Sequence, residues 1–224
     1  MSITTVLFDL DGTLVDSLED LADAVNHVRT ASALPLLTVE DVRKMIGKGA
    51  RNLIQMVLPA SSDQERERAL QLFIDFNTEH IVDKSFFYPG VVEMLKQLHA
   101  AGITMAVISN KHESLSRLIL EALGIHDLFA HISGGDTFSE KKPSPLPLLS
   151  VMEIIGSTPE QSCMVGDSIN DIEAGNAAGI TTIGCRWGYG ADEELQRATH
   201  QADSAYELFT ILESLSAPGS RCAC

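Results

Sequence analysis

The chain has 224 residues, 45% hydrophobic and 21% charged, enough to bury one good core or one core with a smaller satellite domain. A formal charge of −15 argues against nucleic acid and anionic membrane surfaces as partners, and any site for a small anion must create positive potential locally. No apolar run is long enough to span a membrane and the first residues lack the pattern of a secretion signal, so a cytoplasmic protein is expected.

In chain order, a first strand is expected over residues 4–10. Ser17 with Asp20 then has the spacing of a capping box, ahead of Leu18, Leu21, Ala22, Val25 and Val28 at helical spacing. More helices follow with no strand between them. Thr38 with Asp41 opens one that includes Val42 and Ile46, Gly47-Lys48-Gly49 breaks it, and residues 53–58 and 62–82 continue the helical period. From Tyr88-Pro89-Gly90 onward the pattern alternates: helix 91–101, strand 104–108, helix 115–123 and a short strand at Ile132. Helix 147–155, strand 163–165, helix 172–178, strand 180–185 and a last helix 205–215 complete it. Such alternation predicts an α/β fold, a doubly wound parallel sheet of Rossmann-like type covered by helices on both faces. The helical block interrupts the series after its first strand. Residues 1–15 and 85–224 are therefore expected to form the core, with 16–84 as a small all-helical cap domain.

Sheets of this kind carry their sites at the carboxyl ends of the strands. The first strand ends in Asp9-Leu10-Asp11, strand 104–108 in Ser109-Asn110-Lys111, and strand 163–165 in Gly166-Asp167-Ser168. Asp171 lies four residues beyond Asp167, and Lys141 and Lys142 precede a helix in the same half. Asp9 and Asp11, two apart in an extended segment, point to one side, where their charges repel. Carboxylates gathered with a lysine suit a hard divalent cation such as Mg2+, which also relieves that repulsion. A carboxylate so placed is a nucleophile toward phosphorus, and its neighbour an acid and base. Lys142, Ser109 and backbone N–H groups would then receive a dianionic phosphoryl group.

Taken singly, each of these residues has a plainer role. Asp9 to Gly12 makes a turn, Asp167, Ser168 and Asp171 start a helix, Ser109 caps one and Lys142 is a solvated side chain. It is their recurrence at successive strand ends that points to a site. Gly47, Lys48, Gly49 and Arg51 fit equally a glycine-flanked cation closing over an anion and a helix–loop–helix turn. Cys163, Cys185, Cys222 and Cys224 lack zinc-site spacing and are expected as idle thiols.

With "DLDGTLVDS", "VISNK", "KKPSP" and "GDSINDIEAGNAAG" in this order, the sequence resembles the haloacid dehalogenase superfamily of phosphotransferases over nearly its whole length. The resemblance implies Asp9 as nucleophile, Asp11 as acid and base, Ser109 and Asn110 as phosphoryl-binding groups, and Lys142 as the neutralising cation. It implies a Mg2+ site built from Asp9, Asp11 through its backbone carbonyl, Asp167, and Asp171 at the second acidic position of the fourth motif. Thr13 joins the expected substrate-binding set. The superfamily's dehalogenases lack an acid where Asp11 stands, so a phosphate ester is the expected substrate. The helical insertion resembles a mobile cap that excludes water and reads the leaving group.

Within the superfamily, "MIGKGARNLI", "YPGVVEMLKQL" and "KPSPLPLL" are most similar to the phosphoglycolate phosphatases. That similarity implies Mg2+-dependent hydrolysis of 2-phosphoglycolate through an aspartyl-phosphate, with Gly47, Lys48 and Arg51 of the cap meeting the carboxylate. The alternative is a phosphatase or phosphomutase for a sugar phosphate or another small phosphate ester. A receiver-like signalling module would gather similar residues but has no helical insertion after its first strand. A small anionic phosphate ester is the expected partner, and the chain is expected to be a monomer or homodimer.

Overall fold

The computed structural model describes residues 2–217; Cys222 and Cys224 lie outside them. Strand β1 (Thr5–Phe8) is followed by a two-residue strand, β2 (Val15–Asp16), and by helices α1 (Leu18–Ala31), α2 (Val39–Arg43), α3 (Ala50–Val57) and α4 (Asp63–Glu79). A second short strand, β3 (Phe86–Phe87), leads to α5 (Val91–Ala100), β4 (Thr104–Ile108), α6 (Glu113–Ala122) and β5 (His131–Ser133). Then come α7 (Leu146–Ile155), β6 (Ser162–Gly166), α8 (Ile169–Ala177), β7 (Thr181–Cys185), β8 (His200–Ala202) and α9 (Ala205–Ser216).

Six strands form one parallel sheet in the order β5-β4-β1-β6-β7-β8. The side-chain alternation of β1 assigns its two faces. Val6 and Phe8 enter a core with Val91 and Leu95 of α5, Ile119 of α6 and Leu208 of α9, while Leu7 enters one with Leu148 of α7 and Ala174 of α8. Burial on both faces is why β1 reads as a continuous apolar run rather than an alternating one.

The four helices after β2 pack around a third cluster, which includes Leu21, Val25 and Val28 of α1, Val42 of α2, Ile54 of α3 and Phe73 of α4. Each such side chain contributes roughly 1.5–3 kcal/mol when fully buried. Two of these helices start as their sequences predict. Thr38 and Asp41 form a reciprocal capping box on α2, and Ser62 and Glu65 form one on α4.

The box expected at Ser17 and Asp20 does not form. Ser17 precedes α1 but its Oγ donates to Asp11 Oδ1 at 2.5 Å, and Asp20 accepts from Lys84 N (3.1 Å), Ser85 N (2.8 Å) and Ser85 Oγ (2.6 Å). Both side chains are taken by the segments joining helices to sheet. Those segments also pair with each other, β2 antiparallel to β3, so the helical block leaves and rejoins the core through one narrow ribbon. Among the described residues, no helix is long and apolar enough to cross a membrane.

Candidate active site

β1 lies at the centre of the sheet, and its register sets Phe8 opposite Val107 of β4 and Val165 of β6. Asp9 therefore leaves the sheet level with Ile108 and Gly166, and Ser109 and Asp167 follow one residue later on either side. The Asp9 N–H still donates to Val165 O at 2.9 Å, so the nearest backbone is held by the ladder itself.

Lys142 is 2% exposed, and its Nζ lies 2.6 Å from Asp171 Oδ1 and 2.9 Å from Asp9 Oδ1. The approach to Asp9 is an ion pair rather than an aligned hydrogen bond. Asp171 spends its other oxygen on Ser168, accepting from the backbone N at 3.0 Å and from Oγ at 2.7 Å. Asp167 accepts from Thr13 Oγ1 at 2.9 Å, Tyr189 N at 2.7 Å and Gly190 N at 3.4 Å. Gly12, at φ +87°, and Gly188 press so closely on this carboxylate that a Cβ at either position would collide with it.

Burial pushes the Asp9 carboxyl up to about 8, helped by Asp171 and Asp167 and opposed by Lys142. Burial and Asp171 push Asp167 up to about 7, against its three hydrogen bonds. Burial also opposes the charge of Lys142, but Asp171 and Asp9 outweigh it and hold the ammonium above its ordinary value. One buried cation thus faces three carboxylates, whose oxygens lie within 4.8 Å of one another. That deficit of positive charge, in a set of hard oxygen donors, fits a divalent cation. Asp9 accepts no aligned hydrogen bond and is the freest donor for it, whereas each oxygen of Asp167 and Asp171 already accepts at least one and would coordinate through a remaining lone pair.

Asp11 points elsewhere. Its oxygens lie 3.2 and 3.4 Å from Lys111 Nζ and accept from Ser17 Oγ. A cavity of about 420 Å3 opens over Asp11, Ser109, Lys111 and Asp167, with Lys48 in its wall on the helical side. Asp9 is not among the residues that line it.

The sheet edge therefore gathers Asp9, Asp11, Ser109, Asn110, Lys142, Asp167 and Asp171, but three expected site residues stand differently. Thr13 is fully buried with its hydroxyl committed to Asp167, so it supports a carboxylate instead of facing substrate. The Asn110 amide donates to Lys142 O and Gly47 O, both at 2.9 Å, so its side chain joins loops rather than standing open to a phosphoryl group. Arg51 is held by Glu67 at 2.6 and 3.1 Å on the exposed side of α3, outside the cavity that Lys48 lines.

Other residues belong to the site without having been singled out. Lys111 follows Ser109-Asn110 directly and holds Asp11. Tyr189 holds Asp167 through its backbone, and its hydroxyl accepts from Ser17 N at 2.7 Å and donates to Asp16 Oδ1 at 2.9 Å. The signal was present in "GYG", since glycines on both sides of an aromatic residue mark a close approach of backbone.

A parallel sheet with carboxylates at neighbouring strand ends around a buried lysine, under an inserted helical unit, is the arrangement of a phosphatase of α/β fold. The description of haloacid dehalogenase-like hydrolases matches residues 6–185, and the chain belongs to that family. It is 39% identical over 217 residues to a phosphoglycolate phosphatase of Chromobacterium violaceum, covering 95% of this chain and 97% of that one. To a phosphoglycolate phosphatase of Aquifex aeolicus it is 43% identical over 184 residues, with 82% and 85% covered. A crystal structure described as a predicted phosphoglycolate phosphatase from Haemophilus somnus superposes with a TM-score of 0.90 at 32% identity, covering 94% and 98%.

Proposed function

We propose that the protein is a Mg2+-dependent phosphatase that hydrolyses 2-phosphoglycolate to glycolate and phosphate through an aspartyl-phosphate on Asp9. The observation that carries the reading is the Asp9–Lys142–Asp171 cluster beside Asp167, three carboxylates gathered on one buried ammonium and still short of positive charge. The names of the relatives support the substrate, as does Lys48, an exposed ammonium in the cavity wall suited to a leaving-group carboxylate.

Asp9 and Asp167, with the Asp11 backbone carbonyl, would hold Mg2+, which would supply the positive charge that lets an anionic nucleophile and a phosphoryl dianion meet. Lys142 adds a second charge and fixes the Asp9 carboxylate. An Asp9 oxygen attacks phosphorus, the ester oxygen leaves, and the Asp11 carboxyl gives it a proton. Water then attacks the same phosphorus, Asp11 takes its proton, and phosphate leaves with Asp9 restored. Ser109 Oγ, which accepts from Lys111 N at 3.2 Å, keeps its own proton for a phosphoryl oxygen. The helices over the cavity act as a cap that excludes bulk water during transfer of the phosphoryl group to Asp9 and, on opening, admits the water that hydrolyses the acyl phosphate.

The apolar stretch of the cavity wall, which includes Leu21, Ile46, Leu53 and Phe73, favours a second reading, a larger ester such as a sugar phosphate. Phosphate release from a panel of esters with Mg2+ and with excess chelator separates the two. The expected result is Mg2+-dependent turnover that favours 2-phosphoglycolate and vanishes in Asp9→Asn with an unchanged circular dichroism spectrum. Normal turnover by folded Asp9→Asn would remove Asp9 from the mechanism.

A further inference from the structure

Asn77, in the last turn of α4, is 2% exposed, and its amide nitrogen is buried without a hydrogen-bond partner. It lines the cavity together with Leu21, Leu53, Phe73 and Leu115, whose side chains offer it nothing polar. Buried amides are almost always paired, and an unpaired one costs stability that an apolar residue of similar size would not. Nothing in the packing of α4 requires an amide here, since Leu70 and Phe73 of the same helix fill the neighbouring core with hydrocarbon. Asn77 thus stands in the cavity wall with a buried donor unmet.

We infer that Asn77 recognises the leaving group, its amide hydrogen-bonding an oxygen that the leaving group carries beyond the ester bond. The inference rests on the phosphatase reading and adds a chemical requirement to it. A plain alkyl phosphate leaves Asn77 unpaired, whereas a carboxylate or hydroxyl on the leaving group satisfies it. A half-turn of the amide presents either atom, so a carboxylate meets the nitrogen and a hydroxyl meets nitrogen or oxygen. Lys48 attracts any anion, but a charge on a flexible stem selects weakly by position. A buried amide selects by geometry, because the wrong ester leaves it unpaired.

The test compares kcat/KM for 2-phosphoglycolate and for ethyl phosphate, which has the same two carbons without the carboxylate. In Asn77→Leu the preference for 2-phosphoglycolate over ethyl phosphate should fall about tenfold or more, chiefly through KM, while the melting temperature rises because an unpaired amide has gone. Parallel losses on both esters, whatever the melting temperature, would make Asn77 structural and overturn the inference, as would an unchanged preference. Asn77→Asp provides a second arm, in which like-charge repulsion should lower 2-phosphoglycolate turnover more than that of glycerol 3-phosphate, whose hydroxyls a carboxylate accepts. If the unaltered enzyme instead prefers a hydroxyl-bearing ester, the glycolate reading fails on its own. The inference is then decided by the same Asn77→Leu comparison between that ester and its deoxy analogue.

Discussion

Removing the Lys142 ammonium leaves Asp9 and Asp171 facing each other with no buried cation between them. Breaking one side of a buried ion pair costs about 3–5 kcal/mol, reduced where a carboxylate takes up a proton. In metal-free protein, Lys142→Met should therefore lower the free energy of unfolding in urea by about 3 kcal/mol. Adding Asp171→Asn should return part of that, since the second change removes the charge that Lys142 compensated. Strictly additive losses would mean that the two groups do not communicate. This cluster was legible as a list of residues, because strand ends can be located from apolar runs and Asp9 and Asp167 stand at them, while Lys142 stands ahead of a helix in the same half. The division of labour within it was not legible. Whether Asp171 serves a cation or Lys142, whether Thr13 meets substrate or Asp167, and whether Arg51 turns inward or toward Glu67 depend on side-chain directions set by tertiary contacts. Asn77 was invisible for the same reason: in sequence it is one more polar residue on a helix, and only burial makes it exceptional.

The elements repeat this contrast. Most strands and helices of the sheet were predictable because they are several residues long and apolar on the side they bury, but β2, β3 and β8 have two or three residues, too few to carry a period, and the equally short β5 was marked only by Ile132 ahead of Gly134-Gly135. The Ser17–Asp20 spacing shows the converse failure, in which a correct local motif is overridden by partners far along the chain. One consequence concerns the turn between α2 and α3. Gly47 O accepts from Asn110 Nδ2 at 2.9 Å and Asn170 Nδ2 at 3.3 Å, and Lys48 O accepts from Lys141 Nζ at 2.6 Å. From the helical side, Arg43 Nη2 donates to Gly188 O at 2.8 Å. Every one of these bonds ends on a backbone carbonyl, so together they hold the helices down over the sheet edge whichever substrate is bound. A charged donor of this kind is worth about 1.5–3 kcal/mol, enough to shift an open–closed equilibrium about tenfold or more. Arg43→Ala should accordingly raise KM for 2-phosphoglycolate about tenfold and speed proteolytic cleavage between residues 44 and 49. An unchanged KM would mean that closure does not depend on this contact.

At the scale of the molecule, the −15 charge and the carboxylate cluster act on the same ligands with opposite effect. The net field repels an anionic ester and attracts a divalent cation, so capture of the ester relies on local cations such as Lys48 and Lys111. Repulsion from distant charges is screened by salt over a Debye length of about 8 Å near 0.15 M, against about 30 Å at 0.01 M. With Mg2+ saturating, kcat/KM should rise as salt is added to that level, and a steady fall would show that the local cations dominate at long range as well. The cluster also makes a signed prediction about pH. Asp9 and Asp167 titrate in the folded, metal-free protein at about 8 and about 7, far above the ordinary carboxyl value of 3.8 that the unfolded chain approaches. Between these limits the folded state holds protons that the unfolded state has released, so the free energy of unfolding falls as pH rises through that window. A divalent cation binds only the ionised carboxylates and competes with those protons. The rise in melting temperature on adding Mg2+ should therefore be small near pH 5.5 and grow toward pH 8, and Asp167→Asn should flatten the trend. A Mg2+ effect that is equal at both pH values, or larger at the acidic one, would mean that these two carboxylates do not hold the ion.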